Sequence, residues 1–273
     1  MDGLKAISTI EEKAKWVRKK TLELHKMSPE TRIASCLSDI EIFSTLFYGK
    51  ILKFDPKNPL WEQRDRFIIS KAHGAVSLYP ILADMGFFDM NELNTMGTTG
   101  SRLTAIPDCR VPGFETINGS LGHGLGVACG VALALKRKHN EADVFVLCGD
   151  GELFEGSMWE AIMFASQHRL DNLILIVDKN HICMLDRCNK IIDLDPLEKK
   201  FETFGWVAKV VDGHNINELY YNLLEIKKQR HGAPKVVIAN TVKGKGVPKL
   251  ENDVLCHIKS LNASEIDEIL KRL

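Results

Sequence analysis

The sequence lacks the features that mark membrane-spanning, secreted, disulfide-stapled and nucleic-acid-binding proteins. No uninterrupted run of about 18 apolar residues is present for a transmembrane helix, and the charged first 20 residues hold no apolar core like that of a signal peptide. Lys plus Arg and Asp plus Glu are equal at 36 each, so no excess charge attracts nucleic acid or an anionic membrane. The seven cysteines are odd in number and have no C-x-x-C spacing, which argues against a disulfide framework or a zinc site. We expect a cytoplasmic protein that acts on a small molecule or on another protein.

The 273 residues, 45% of them hydrophobic, are enough for one large α/β domain, which we expect to span residues 1–273. Buried strands alternate with helices, which favours a three-layer α/β/α architecture with a mainly parallel sheet. The pattern predicts strands at 67–69, 143–148, 173–178, 207–211 and 235–239, and helices at 10–26, 38–50, 73–85, 119–138, 157–168 and 216–229.

Three segments carry further local predictions. The stretch 94–116 is rich in Gly, Thr and Pro and is too long for an ordinary connection, which is typical of a functional loop. The helix predicted from Gly119 begins with small residues, so its free N–H groups could face a phosphate or its glycines could allow close helix packing. Ser157 and Glu160 have the spacing of a capping box at a helix start.

Polar side chains follow two neighbouring strands of the predicted sheet. Asp150 comes at the end of one buried run and Asn180 at the end of the next, so both are expected to face the crevice at the carboxyl edge of the sheet. Their oxygens suit Mg²⁺, and the glycines Gly149 and Gly151 let the backbone approach a ligand closely. A simple turn is the alternative. A dinucleotide-binding fingerprint is excluded because residue 154 is Phe154 and not glycine.

The segment from Gly149 to Asn180 resembles the thiamine-diphosphate motif of transketolases. Further segments agree with that family in order: Leu37-Ser38 with Glu41-Ile42, Arg64-Asp65-Arg66 with Ser70-Lys71-Ala72-His73, Gly119-Ser120-Leu121-Gly122, and Thr241-Val242-Lys243-Gly244-Lys245-Gly246. The resemblance covers nearly the whole chain and is specific to the N-terminal, diphosphate-binding half. It implies a separate C-terminal subunit with the pyrimidine-binding half, an α₂β₂ assembly, and active sites between subunits.

The resemblance also implies a cofactor site. Asp150, Asn180 and the main-chain carbonyl of Ile182 would hold Mg²⁺, or another divalent cation such as Ca²⁺ or Mn²⁺, which bridges the two phosphates of thiamine diphosphate. The remaining residues that it implies around the cofactor are Gly119, Leu121, Gly149, Gly151, His73 and His257.

Three residues are implied in catalysis. His73 lies in Ser-Lys-Ala-His, which is similar to the family's Ser-Lys-Gly-His, and His257 resembles the histidine of a Trp-His-Gly segment, although Cys256 and Ile258 flank it here. Either imidazole could move protons near neutral pH. Glu155 stands where the family has an interface glutamate linked to the partner chain's cofactor-activating glutamate.

Two departures from the family bear on the substrate. Arg32 stands where transketolases have a histidine, and Ile106 stands where a Gly-His-Pro histidine contacts the ketose donor. Ile106 cannot donate a hydrogen bond, so an ordinary sugar phosphate donor is not assured. The guanidinium of Arg32 would suit a carboxylate, phosphate or sulfonate on a modified ketose.

The function implied is transfer of a two-carbon ketol unit from a ketose to an aldose, with the cofactor as electron sink. Two alternatives stay open: a thiamine-dependent carboligase that uses a 2-oxo acid, and a non-catalytic partner subunit with the same fold.

Overall fold

A computed structural model of the chain describes residues 3–117 and 119–273; residues 1, 2 and 118, which the predicted single domain includes, lie outside the described residues. The helices are α1 Gly3–Met27, α2 Ile33–Ser38, α3 Ile40–Tyr48, α4 Leu78–Met85, α5 Gly124–Arg137, α6 Gly156–Gln167, α7 Cys188–Ile191, α8 Leu197–Thr203, α9 Ile216–Lys228 and α10 Ala263–Arg272. The strands are β1 Arg66–Ile69, β2 Val144–Gly149, β3 Leu173–Lys179, β4 Val207–Asp212 and β5 Lys235–Asn240.

The five strands form one sheet in the order β1-β2-β3-β5-β4, and every pair is parallel. The register brings Val146 of β2 beside Ile68 of β1 and Leu175 of β3. Parallel pairing needs crossover connections, which the helices between the strands supply. The predicted parallel sheet is confirmed.

Both faces of the sheet are covered, as the sequence pattern predicted. Phe145 and Ile174 belong to a core cluster with residues of α1, α3, α4 and α9, while Val146 and Leu175 belong to a second cluster with residues of α5, α6 and α8. Neighbouring residues of a strand point to opposite faces, so these runs bury apolar side chains on both sides. The result is a three-layer α/β/α sandwich.

Helix boundaries differ from the predictions in several places. The helix predicted over 38–50 is divided at Asp39 into α2 and α3, and the one predicted from His73 begins as a 3₁₀ turn, Ala72–Ser77, before α4. The helices α7, α8 and α10 were not predicted. The loop predicted over 94–116 has neither helix nor strand beyond the end of a 3₁₀ turn, Met90–Thr95.

Parallel strands end at one edge of the sheet, and their ends position the site. Lys71 follows β1, Asp150 follows β2, Asn180 follows β3 and Thr241 follows β5. None of the described helices is long and apolar enough to cross a bilayer.

Candidate active site

A cavity of about 470 Å³ opens at the carboxyl edge of the sheet, within the size range of small-molecule sites. It is lined by all the predicted site residues except Ile106: Arg32, His73, Gly119, Leu121, Gly149, Asp150, Gly151, Glu155, Asn180, Ile182 and His257. Ile106 lies beside this set, because its Cγ2 is 3.9 Å from where a Cβ on Gly119 would stand, and its side chain is 47% exposed.

Asp150 and Asn180 present oxygens to the cavity. Asp150 is 7% exposed, and its two carboxylate oxygens accept the backbone N–H groups of Gly151 at 2.8 Å and His181 at 2.6 Å. Burial raises the pKa of Asp150, and the nearby Asp178 carboxylate raises it further. The amide oxygen of Asn180 accepts the N–H of Ile182 at 3.2 Å and keeps a second lone pair.

Asp178, the fully buried residue before the end of β3, connects the strand ends behind this cavity. Its Oδ2 accepts hydrogen bonds from Lys71 at 2.6 Å, Ser38 at 2.8 Å and Asn180 Nδ2 at 2.8 Å, and its Oδ1 accepts one from Thr241. Because Nδ2 of Asn180 faces Asp178, the amide orientation of Asn180 is fixed with its oxygen on the other side. Burial alone would raise the pKa of Asp178, but Lys71 and these donors hold it well below its usual range.

Two carboxylates face the single ammonium of Lys71. Its Nζ lies 2.6 Å from Asp178 Oδ2 and 2.8 Å from Asp39 Oδ2, and all three side chains are almost fully buried. Neither carboxylate oxygen of Asp39 has a well-aligned hydrogen bond. Burial raises the pKa of Asp39 well above its ordinary value, and Lys71 only partly opposes this. We infer a neutral Asp39 beside a Lys71–Asp178 ion pair.

Glu152 holds the glycine-rich segment against the strand ends. It is 2% exposed and accepts hydrogen bonds from Ser70 Oγ, from Gly122 N at 2.8 Å and from Gly149 N at 3.4 Å. Ser70 Oγ in turn accepts the N–H of Gly124, the first residue of α5, at 3.0 Å. Burial raises the pKa of Glu152. These contacts fix the loop that carries Gly119 and Leu121 to the cavity wall.

Helix α5 begins at Gly124 and not at Gly119, so the predicted phosphate-facing helix start is wrong in position. Its first N–H is already bound by Ser70. A Cβ on Gly124 would stand 2.4 Å from Ser70 Oγ, which supports the close-packing alternative at this glycine. Gly119 and Leu121 reach the cavity as loop residues instead.

The predicted capping box of α6 is also wrong. The helix begins at Gly156 after Glu155, whose side chain makes no capping bond, and Ser157 Oγ donates to the carbonyl of Gly122 at 2.8 Å. Glu160 therefore caps nothing. Glu155 is exposed at the cavity rim, where its carboxylate is accessible from outside the chain.

His73 and His257 stack edge to face with ring centroids 5.3 Å apart. Burial lowers the pKa of His73 to about 3, with Lys71 the next cause, and lowers that of His257 to about 4, with Lys243 and Arg32 adding to the effect. Both imidazoles are therefore neutral at pH 7 and able to accept a proton. The cations beside them give this wall of the cavity a positive potential, which suits an anionic ligand.

Two buried polar atoms at the cavity have no hydrogen-bond partner among the described residues: Ser35 Oγ and His257 Nδ1. Buried polar groups are nearly always paired, so such atoms at a cavity indicate a ligand that pairs them. Within residues 3–117 and 119–273, no three His, Cys, Asp or Glu side chains are grouped to hold a metal. A cation at Asp150 and Asn180 would need carbonyl and ligand oxygens to complete its shell.

Sequence reasoning assigned no role to several residues that shape the site. Ser35, Glu152 and Lys243 line the cavity, and Lys71 and Asp178 form the buried ion pair beside it. Their signal in the sequence is a polar side chain in or directly after an apolar strand, which holds for Lys71 and Asp178. Ser35 lies on a short helix that was not predicted, so no comparable signal marked it.

The comparisons with known proteins agree with this geometry. Residues 33–273 match the family "Transketolase, thiamine diphosphate binding domain". One of two apulose-4-phosphate transketolase subunits, from Actinobacillus succinogenes, is 40% identical over 97% of this chain and 95% of its own length. A 6-deoxy-6-sulfo-D-fructose transketolase subunit from a Clostridium species is 37% identical over 91% of this chain and 90% of its own.

Among solved structures, the transketolase from Campylobacter jejuni superimposes with a TM-score of 0.89 at 30% identity. The match covers 96% of this chain and 42% of that one, so the chain spans less than half of the larger enzyme. The chain therefore belongs to the transketolase family and corresponds to its thiamine-diphosphate-binding domain.

Proposed function

We propose that this chain is the N-terminal subunit of a split transketolase, in which residues 1–273 form a single diphosphate-binding domain. The observation that carries the proposal is the convergence of Asp150, Asn180 and Ile182 on one cavity whose other wall is cationic. The unpaired Ser35 Oγ and His257 Nδ1 support a ligand rich in acceptor oxygens. These features fit thiamine diphosphate with Mg²⁺, or with Ca²⁺ or Mn²⁺.

In this proposal Asp150, Asn180 and the carbonyl of Ile182 hold the divalent cation, which takes its other ligands from the diphosphate and water. The main chain at Gly119, Leu121, Gly149 and Gly151 lies against the cofactor, where the glycines leave room. Bound thiamine diphosphate supplies the electron sink that lets a carbon–carbon bond next to a carbonyl break. The protein binds and orients it.

The two neutral histidines supply proton transfer. His73 and His257 have pKa values of about 3 and about 4, so each can accept a proton from a hydroxyl of the ketose and return it. Glu155, exposed at the rim, faces outward and is placed to meet a carboxyl of a partner subunit. Such a contact would connect the two active sites of an α₂β₂ assembly.

The donor that we propose is a ketose with an anionic substituent, and the acceptor is an aldose. Arg32 lines the cavity, is exposed and makes no side-chain hydrogen bond or ion pair within the described residues. A free guanidinium binds phosphate, sulfonate or carboxylate oxygens in a bidentate manner. The names of the two relatives contain a sugar phosphate and a sulfosugar, both anionic.

A partner subunit is supported by a surface of α5 and α6. On this α5–α6 surface Val127, Met163 and Phe164 are 44%, 49% and 39% exposed, and Gly126 and Gly130 have open space above them. Apolar exposure of this kind marks protein interfaces. The relatives' designation as subunits supports a second polypeptide. The cytoplasmic location remains a proposal, supported by seven free cysteines.

The test is ketol transfer by this chain mixed with its C-terminal partner subunit, thiamine diphosphate and Mg²⁺. Release of a shortened aldose from an anionic ketose is expected, and neither polypeptide should be active by itself. Carbon dioxide release from pyruvate would instead favour the carboligase, and cofactor binding without either reaction would contradict the enzyme.

Arg32 has its own test within the same assay. Arg32→His should lower kcat/KM for the anionic donor by about tenfold or more, the value of one charge-assisted hydrogen bond. The matched control Arg137→His, at the far end of α5, should leave kcat/KM unchanged. Equal rates for Arg32→His and the wild type would exclude Arg32 from donor binding.

A further inference from the structure

Lys243 lies in the loop after β5 and is buried, with 4% of its surface exposed. Its ammonium donates a hydrogen bond to the main-chain carbonyl of Ile182, with Nζ 2.7 Å from the oxygen. That oxygen is the main-chain ligand that the proposed function assigns to the divalent cation. One atom therefore has two candidate positive partners.

The two partners interfere with each other. A carbonyl oxygen has two lone pairs, but Mg²⁺ would stand about 2.1 Å from it, which places the metal at most about 4.8 Å from Nζ. The carboxylates that act on Lys243 are Asp150 and Asp178. Asp178 is already paired with Lys71 at 2.6 Å, so little negative charge is left to screen a metal from a second ammonium.

Lys243 has another place to go. Its side chain lines the same cavity as Arg32, His73 and His257, the cationic wall opposite the metal ligands. A lysine ammonium on a flexible four-carbon stem can turn between partners a few ångström apart. A diphosphate in the cavity would offer oxygens to it at the moment when the metal takes the Ile182 carbonyl.

We propose that Lys243 is a positioning residue that couples metal binding to diphosphate binding. Its ammonium holds the Ile182 carbonyl until the metal arrives, and it then turns to a phosphate oxygen. Metal alone binds weakly because it must displace this ammonium and remain near its charge, whereas metal with diphosphate binds tightly. The inference rests on the proposed function, since it needs that cofactor and that metal site.

The alternative is a purely structural lysine that ties the loop after β5 to the segment after β3. The two roles predict different signs. Loss of a structural tie loosens the Ile182 segment and weakens both metal and diphosphate. Loss of a coupling cation strengthens metal binding and weakens diphosphate binding.

The experiment uses this chain assembled with its C-terminal partner, and Mn²⁺ is the probe. Free Mn²⁺ is titrated by electron paramagnetic resonance without diphosphate, and thiamine diphosphate is then titrated by calorimetry at saturating Mn²⁺. Lys243→Met should bind Mn²⁺ alone about tenfold more tightly and thiamine diphosphate about tenfold more weakly, a coupling within the usual range. The matched control Lys245→Met, two residues along the same loop and outside the cavity lining, should change neither.

Lys243→Arg keeps the charge and serves as the second variant if Lys243→Met fails to fold. It should bind Mn²⁺ alone as weakly as the wild type does. Parallel losses for both ligands in Lys243→Met, or tighter Mn²⁺ binding by Lys243→Arg, would overturn the coupling. The proposed function fails separately: it is contradicted if the wild type binds no thiamine diphosphate, and it stands if the wild type binds and only the opposite shifts are missing.

Discussion

Replacing Asp178 by asparagine should destabilise the fold far more than the same change at Asp39, although both carboxylates face Lys71. The Lys71–Asp178 pair is buried at 3% and 0% exposure, and Asp178 also accepts hydrogen bonds from Ser38 and Thr241. Removing one charge of such a pair leaves the other unpaired, at a cost of about 3–5 kcal/mol. In a chain of this size that lowers Tm by about 10 °C.

Asp39→Asn is the matched control because it makes the same chemical change 2.8 Å from the same ammonium. Burial raises the pKa of Asp39, so its folded form binds a proton that the unfolded form loses above about pH 4. That group therefore loses stability as the pH rises, and an asparagine that needs no proton should cost less than about 1 kcal/mol at pH 7. The assay is thermal and urea unfolding of both variants at pH 7. Equal losses, or a larger loss in Asp39→Asn, would refute the assignment of the proton to Asp39.

Three further predictions concern the loop and the histidines. Glu152→Gln removes a charged acceptor and should lower the unfolding free energy by about 1–3 kcal/mol in urea unfolding, because one of its three donors loses its partner; no loss would contradict its anchoring role. Gly122→Ala should cost about 1–3 kcal/mol, because φ is +85° and the new Cβ would stand 2.7 Å from Glu155 Cβ, whereas Gly126→Ala, in open helix, should stabilise by about 0.5–1 kcal/mol. Because the pKa of His73 is lowered to about 3, it stays neutral in the fold while the unfolded chain protonates it near pH 6.5, so stability falls as the pH drops from 7 towards 4; His73→Gln should flatten that fall in Tm, and an unchanged slope would contradict a neutral His73.

Much of the sheet and the site could be predicted because both depend on local patterns. The apolar runs of β2 and β3 are buried on both faces, and a polar residue directly after such a run can only lie at the carboxyl edge. Asp150 and Asn180 follow this rule, and they line one cavity. The edge strand β4 was also predicted, although much of it is only partly buried.

The errors lie where tertiary contacts override local signals. Ser157 has a capping spacing, but its hydroxyl bonds the carbonyl of Gly122, 35 residues away in sequence. The start of α5 moves to Gly124 because Ser70 binds its first N–H. Helix α10 was missed even though Asn262 and Glu265 form a capping box that the sequence displays.

Residues that hold the site from behind, rather than line it, could not be assigned from one sequence. The partners of Lys71 lie between α2 and α3 and near the end of β3, which are distant along the chain, and only the fold brings Asp39 and Asp178 to one ammonium. Lys243 belonged to a segment that resembled the family, but its contact with the Ile182 carbonyl depends on how two loops meet.

The most direct test of the account is calorimetric titration of thiamine diphosphate with Mg²⁺ into this chain assembled with its C-terminal partner. Wild type should bind, Asp150→Asn should lose binding, and Asp171→Asn, which alters a carboxylate before the opposite end of β3, should bind as the wild type does. Unchanged binding in Asp150→Asn, or no binding by the wild-type assembly, would contradict a cofactor site at the carboxyl edge of the sheet.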